Sequence, residues 1–468
     1  MMKQRTKNLF LLALLLTFVG FTLTGCSGSS ESVKHDLAFP ATYRNLPASA
    51  SADSAMAQLP YRNFFADNTL CSLIDTAVAN NLDLQVAVKS IDLAQQTLKS
   101  AKLGLLPAAT LGVQDTRNFS SDNGVQKTSQ EYVASVTASW EIDIWGKIRS
   151  RQQSALASYL KTQEAAKAVR TRLVADVASG YYNLLMLDAQ LAVSRKNLAL
   201  ADTTLTMMQL QYTAGLATDL AVKQQQAAKE AVAGSIPLLE QNIAIQEDAL
   251  STLCGKMPEA IQRNQALFSV RMSDTIAAGV PAALLQNRPD VRAAEYAVRA
   301  AAADVSDAGA AFYPSLTLTA QGGVSALKAS DWFSIPGSLF GSLQGSLLQP
   351  LFQRGQLQAN YKQSTIRRDQ AELAFKQSLL KAVAEVSDAL IRLEKIKEQE
   401  RFAEARVATL QRAVANAGML FQSGMATSLE VMVVQSNALS AELALADLRR
   451  QRLAAMAELY RSLGGGWR

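Results

Sequence analysis

Hydrophobic positions follow two periods that alternate along the chain. From Tyr132 to Ile144 the period is two. Tyr132, Ala134, Val136, Ala138, Trp140, Ile142 and Ile144 are apolar, and Ser135, Thr137, Ser139, Glu141 and Asp143 between them are polar. This predicts a strand longer than most globular strands, with lipid on one face and water on the other. After Trp145-Gly146 the period becomes seven, with Val177, Leu184, Leu191, Leu198, Leu205 and Tyr212 forming a heptad seam. The 68 residues from 147 to 214 contain no proline and one glycine, Gly180, and are rich in Ala, Leu, Gln, Lys and Arg. At about 1.5 Å per residue such a helix spans roughly 100 Å. That length suits a tube, a stalk or a spacer better than a globular core.

Gly215 is the stop signal of this helix, and Thr218 or Asp219 can cap the next. The next helix returns to Cys254-Gly255, interrupted by Gly234 and Pro237, so the pair is a helical hairpin with a tight tip. Upstream, a helix is predicted from about Leu70 to Leu103, a strand from Ala108 to Phe119 and a turn at Ser120 to Gly124. The order then recurs. Asn81-Leu82-Asp83-Leu84-Gln85 answers to Arg288-Pro289-Asp290-Val291-Arg292, Leu106-Pro107 to Tyr313-Pro314, and Ile144-Trp145 to Leu351-Phe352, each at an offset of 207. The tip from Tyr212 to Thr218 answers to Phe421 to Thr427 at 209. The chain is therefore a tandem duplication. The second copy has strands in which Leu316, Leu318, Ala320, Gly322 and Val324 alternate with polar or small residues, and a long helix from about Gln353 to Phe421. Four membrane strands cannot close a barrel, and unpaired edges are not tolerated in lipid, so the chain must oligomerise. A dimer would supply eight strands and a trimer twelve.

The first residues change the setting. Lys3, Arg5 and Lys7 precede an apolar run from Leu9 to Thr24, which predicts a signal peptide over 1–25. Leu23-Thr24-Gly25-Cys26 resembles a bacterial lipobox, which implies cleavage before Cys26 and acylation of that residue. Residues 26–69 form a lipid-anchored arm rich in Ser, Ala and Asn. The first repeat covers 70–255, a connector with Pro258, Gly279 and Pro281 covers 256–281, and the second repeat covers 282–468.

Of 46 basic residues, three lie in the signal peptide, leaving 43 against 40 acidic ones, a balance that gives no basic face for nucleic acid. Cys71 and Cys254 remain after cleavage, as a pair in an oxidising compartment or, favoured, as separate buried residues. The single histidine, His35, lies in the arm, and no metal-ligand spacing or phosphate loop occurs. No cofactor, metal site or catalytic residue is predicted. Trp332 suits a membrane interface, and Trp145 the corner where strand becomes helix.

At this point the chain resembles the TolC-like outer-membrane factors, closest to the NodT/OprM lipoprotein branch. The resemblance rests on Ala79-Asn80-Asn81-Leu82-Asp83-Leu84, Trp140 to Gly146, Tyr212 with Ala214-Gly215-Leu216-Ala217, Arg288 to Glu295 and Leu463-Gly464-Gly465-Gly466-Trp467. It implies a mainly α-helical homotrimer, with a twelve-stranded outer-membrane β-barrel on a long periplasmic α-helical barrel and an equatorial domain. It also implies a periplasmic adaptor and an inner-membrane pump, often of the resistance-nodulation-division type, that expel drugs, toxic compounds or metal ions through a passive duct. An exit duct for type I protein secretion and a structural lipoprotein without a channel are the alternative functions. The small-residue tips at Gly215, Leu216, Ala217, Thr218 and at Gly424, Met425, Ala426, Thr427 are the expected adaptor-docking sites. Asp219, Leu429, Glu430 and Met432, just past the tips, are the expected periplasmic gate, with Val433 where family members commonly carry a second acidic residue.

Overall fold

The computed structural model describes residues 58–122, 125–271 and 283–467. The predicted signal peptide, Cys26, His35 and most of the arm lie outside the described residues. Helices α1 (Tyr61–Phe64), α2 (Asn68–Asn80) and α3 (Leu82–Leu103) lead to strands β1 (Ala108–Asp122) and β2 (Val125–Ile142). Helices α4 (Lys147–Thr213) and α5 (Asp219–Leu253) form the first long hairpin. The series repeats as α6 (Leu284–Asn287), α7 (Pro289–Ala310), β3 (Ser315–Ala326), β4 (Leu339–Leu348), α8 (Gln356–Gln422) and α9 (Ser428–Ser462).

Two expectations change. The helix expected from Leu70 to Leu103 is two helices, because Asn81 leaves helical geometry and caps α3 by accepting from the Leu84 N–H at 2.9 Å. Gly234 and Pro237 do not interrupt the return helix, and α5 carries both in its interior. The heptad seam of α4 is real along most of its length. Val177, Leu184 and Leu205 are buried, and only Tyr212 at the far end is exposed.

The backbone also corrects the offset between repeats. Helices α3 and α7 have 22 residues each and stand 207 apart. Helices α4 and α8 have 67 each, α5 and α9 have 35 each, and both pairs stand 209 apart. The step falls in the strand hairpin, where Ala108 pairs with Ser139 and Ser315 pairs with Leu348. Ile144-Trp145 therefore answers to Gln353-Arg354 rather than to Leu351-Phe352. Matching the aromatic residues by sequence hid a two-residue shift that the hydrogen-bond register reveals.

The four strands form one antiparallel sheet in chain order, with β1 and β4 as open edges. Register places Leu111, Val136, Gly322 and Gly341 in one row on one face, and Thr110, Thr137, Gln321 and Ser342 in the adjacent row on the other. One face is apolar and the other polar, as a membrane strand with a wet lumen requires. At the end away from the helices, Trp332 tilts against Tyr132 at 5.5 Å, on the apolar side of the rim. At the other end Trp145 stacks on Tyr313 at 4.8 Å and donates to the Pro314 carbonyl at 2.8 Å. Gly146, at φ 75°, turns β2 into α4, and the Asp143 carboxylate accepts from the Ile148 and Arg149 N–H groups at 2.9 and 3.0 Å.

The middle of the rods is bolted by polar residues at equivalent places. Asn81 donates to the Leu253 carbonyl at 3.0 Å, and Arg288 donates to the Ser462 carbonyl at 3.0 Å. Each ties the start of a short helix to the end of the returning long one. Arg288 is 3% exposed and also binds Asp290 at 2.6 Å and Glu385 at 2.9 Å. Burial alone would lower its pKa, and the two carboxylates outweigh that and raise it. Arg263 in the connector grips Asp188 of α4 at 2.8 Å and also Glu247 of α5. Cys71 and Cys254 are both free and buried, each donating to a backbone carbonyl, so the separate reading holds. Burial raises both thiol pKa values.

Candidate functional site

Both tips are built in the same way. At the first, the Leu216 N–H donates to the Gln211 carbonyl at 2.8 Å and Gly215 adopts φ 75°. At the second, the Met425 N–H donates to the Leu420 carbonyl at 2.8 Å and Gly424 adopts φ 74°. This is the Schellman closure, in which a left-handed residue lets the chain satisfy the last helical carbonyls. Neither glycine has any atom within 4 Å of where a Cβ would stand, so the surroundings of both are open. Leu216 and Met425, at 80% and 71% exposure, point apolar side chains off the ends of the rods.

The next helices start by capping. Thr218, not Asp219, caps α5, accepting from the Ala221 N–H at 3.2 Å, and Asp219 is the first helical residue and exposed. At the second tip Thr427 and Glu430 form a capping box. The Glu430 N–H donates to the Thr427 hydroxyl at 3.3 Å, and the Thr427 N–H donates to the Glu430 carboxylate at 2.7 Å. That backbone bond and a second one from the Thr427 hydroxyl hold the Glu430 pKa below the usual carboxylate range. The Thr-x-x-Glu spacing was present in the sequence and is the signal that reveals this box.

A small core joins the tips. Met208 of α4, Phe421 of α8 and Val431 of α9 are buried together, with Met207, Val222, Ala417, Ala426 and Met432 packed around them. Ala426 and Met432 thus turn partly inward, whereas Leu429 and Glu430 face solvent. Three inter-hairpin hydrogen bonds add to this packing, from Gln211 to the Phe421 carbonyl at 3.4 Å, from Gln422 to the Met207 sulfur at 3.6 Å and from Gln435 to the Thr204 hydroxyl at 2.9 Å. No cluster of metal-ligating residues occurs among the described residues.

A two-faced sheet with both edges open, carried on two 67-residue helices, defines a subunit of a membrane channel that closes only between copies. Residues 73–256 and 280–465 match the model for the outer membrane efflux protein family, and the chain belongs to that family. It is 33% identical to the pyoverdine export outer membrane protein OpmQ of Pseudomonas aeruginosa, over 98% of this chain and 97% of that protein. It is 29% identical to the cation efflux system protein CusC of Escherichia coli, over 96% and 97% of the two chains. The structure of the outer-membrane channel OprN superposes with a TM-score of 0.85 at 24% identity, covering 93% of this chain and all of that one.

The protein is an outer-membrane exit duct. Three copies close a twelve-stranded barrel over an α-helical barrel in the periplasm, and the duct serves a tripartite system with a periplasmic adaptor and an inner-membrane pump. Family members are channel proteins rather than enzymes.

Proposed function

We propose that this duct passes small solutes passively, that the helical tips both receive the adaptor and close the periplasmic end, and that Cys26 carries the lipid anchor. The observation that carries this reading is the tip itself. Each rod ends in an exposed apolar side chain beside a left-handed glycine with open space around it. That surface lets another helical hairpin come close, and the exposed Leu216 and Met425 side chains are left free for a partner. Export of pyoverdine by OpmQ and of cations by CusC supports a small-solute cargo over a polypeptide. Asp219 and Glu430 supply the carboxylates of the aperture, and Leu429 its apolar part. Three copies of Glu430 near one axis would repel each other and attract cations.

Three measurements test this. In Leu216→Glu and Met425→Glu variants the trimer should assemble while crosslinking to the adaptor and efflux are lost; efflux at the wild-type level in both removes the docking role. Purified trimers with Glu430→Gln should lose cation selectivity and divalent block in planar bilayers, and wild-type values would take Glu430 out of the aperture. Fatty-acid labelling of the wild type that disappears in Cys26→Ser is the expected outcome for the anchor.

A further inference from the structure

The two repeats leave matching clefts where strands meet helices. The first has a volume of about 900 Å³, with Leu103, Leu106 and Pro107 on one wall and Glu141 and Ile148 on the other. The second has about 250 Å³, with Ala310, Tyr313 and Pro314 on one wall and Pro350 and Leu357 on the other. The first walls stand 207 residues apart and the second walls 209, the offsets of the repeats themselves. The two clefts are thus one place, occurring twice.

They differ in what fills them. The second cleft is entered by the β2–α4 corner of the preceding repeat, whose Trp145 stacks on Tyr313 and bonds to Pro314. The first cleft is lined only by its own repeat, and no described residue of this chain enters it from another. By the repeat relation, the corner that should enter is 350–356, between β4 and α8. Pro350 of that corner lines the second cleft, but Leu351 and Phe352 beside it are 93% and 85% exposed.

We propose that in the trimer this corner of each copy seats in the first cleft of the next, with Leu351 and Phe352 against Leu103 and Leu106. Barrel closure delivers it there. The open edges are β4 and β1, so joining them carries the residues after Leu348 over those before Ala108. Leu103 and Leu106, at 52% and 60% exposure, are the apolar wall left to be covered. The fit is not a copy of the Trp145 contact. The apolar pair stands two residues earlier in register, and the turn uses two left-handed residues, Arg354 at φ 50° and Gly355 at φ 76°, where the first repeat uses Gly146 alone. Each trimer would then have six filled joints between barrel and rods, three within copies and three between them.

The test places Leu106→Cys and Phe352→Cys on two differently tagged copies, expressed together and oxidised as assembled trimers. The expected result is a disulfide-linked pair carrying both tags, and no linked pair when either variant is expressed alone. Leu103→Cys with Phe352→Cys is the second pair, for the case in which the first does not assemble. Assembled trimers with no linked species from either pair, and with the Phe352→Cys thiol open to a water-soluble maleimide, overturn the proposal. Protection of the Leu106→Cys thiol without any link to the second copy assigns the cleft to residues 26–57 and overturns it equally.

Discussion

Replacing Phe421 with alanine should loosen the tips without melting the rods. Phe421 is 4% exposed and sits between Met208 and Val431, so its ring is the largest part of the core that joins the two hairpins. Phe→Ala changes in cores cost about 3–5 kcal/mol. Here the flexible Met207 and Met432 can move into the space, which puts the cost near the low end, about 3 kcal/mol. At about 1.4 kcal/mol per decade, local opening becomes roughly a hundredfold more frequent. Amide hydrogen exchange reads this directly. Segments 201–213 and 413–435 should lose close to two decades of protection. Leu379, 42 residues back along α8 and about 60 Å away, should keep its own. A change below threefold at the tips, or an equal loss around Tyr181 and Leu379, would refute a separate tip core. On the proposed gating role of the tips, trimers should also show a raised resting conductance.

Other outcomes follow from the polar and backbone features. The folded pKa of Glu430 is lowered, so its stabilisation is present at neutral pH and is lost as pH falls through that lowered value; the start of α9 should fray in acid, seen as faster exchange at 428–432 after correction for intrinsic rates, and Glu430→Ala should remove the pH dependence. Arg288→Met leaves Asp290 and Glu385 without their buried partner and should cost about 3 kcal/mol in denaturant unfolding, with Arg461 still holding Glu385 at 3.0 Å. Gly464→Ala should be far worse than Gly424→Ala. Both impose a left-handed alanine at about 1–2 kcal/mol, but at 464 the new Cβ would also lie 2.4 Å from the Asn287 carbonyl oxygen. Limited proteolysis should release the C-terminal segment only in the first.

What the sequence made legible were its periods. A seam repeating every seven residues and an alternation of two identify rods and membrane strands because each pattern has one physical solution. The duplication was readable for the same reason. The break at Asn81 was not, since only the side chain's bond to Leu84 tells a cap from an ordinary helical asparagine. The true offset of β4 was hidden by Leu351-Phe352, which looks like Ile144-Trp145 but is paired two residues away. The signal for the Glu430 bond to Thr427 lies in the Thr-x-x-Glu spacing at 427–430, which the helical period does not include. The bolts at Arg263 and Arg288 join residues as far apart as 75 and 174 positions, and no local pattern announces such a bond.

The equal lengths of the paired helices, 67 with 67 and 35 with 35, have a consequence for stoichiometry. Both tips of one copy end on rods of the same length, so a trimer presents six tips of two alternating sequences, Leu216-Ala217-Thr218-Asp219 and Met425-Ala426-Thr427-Ser428, for any partner that docks there as proposed. A partner that ignores the difference can bind six to three. One that distinguishes Asp219 from Ser428 must either stop at three or arrange its own subunits as unlike pairs.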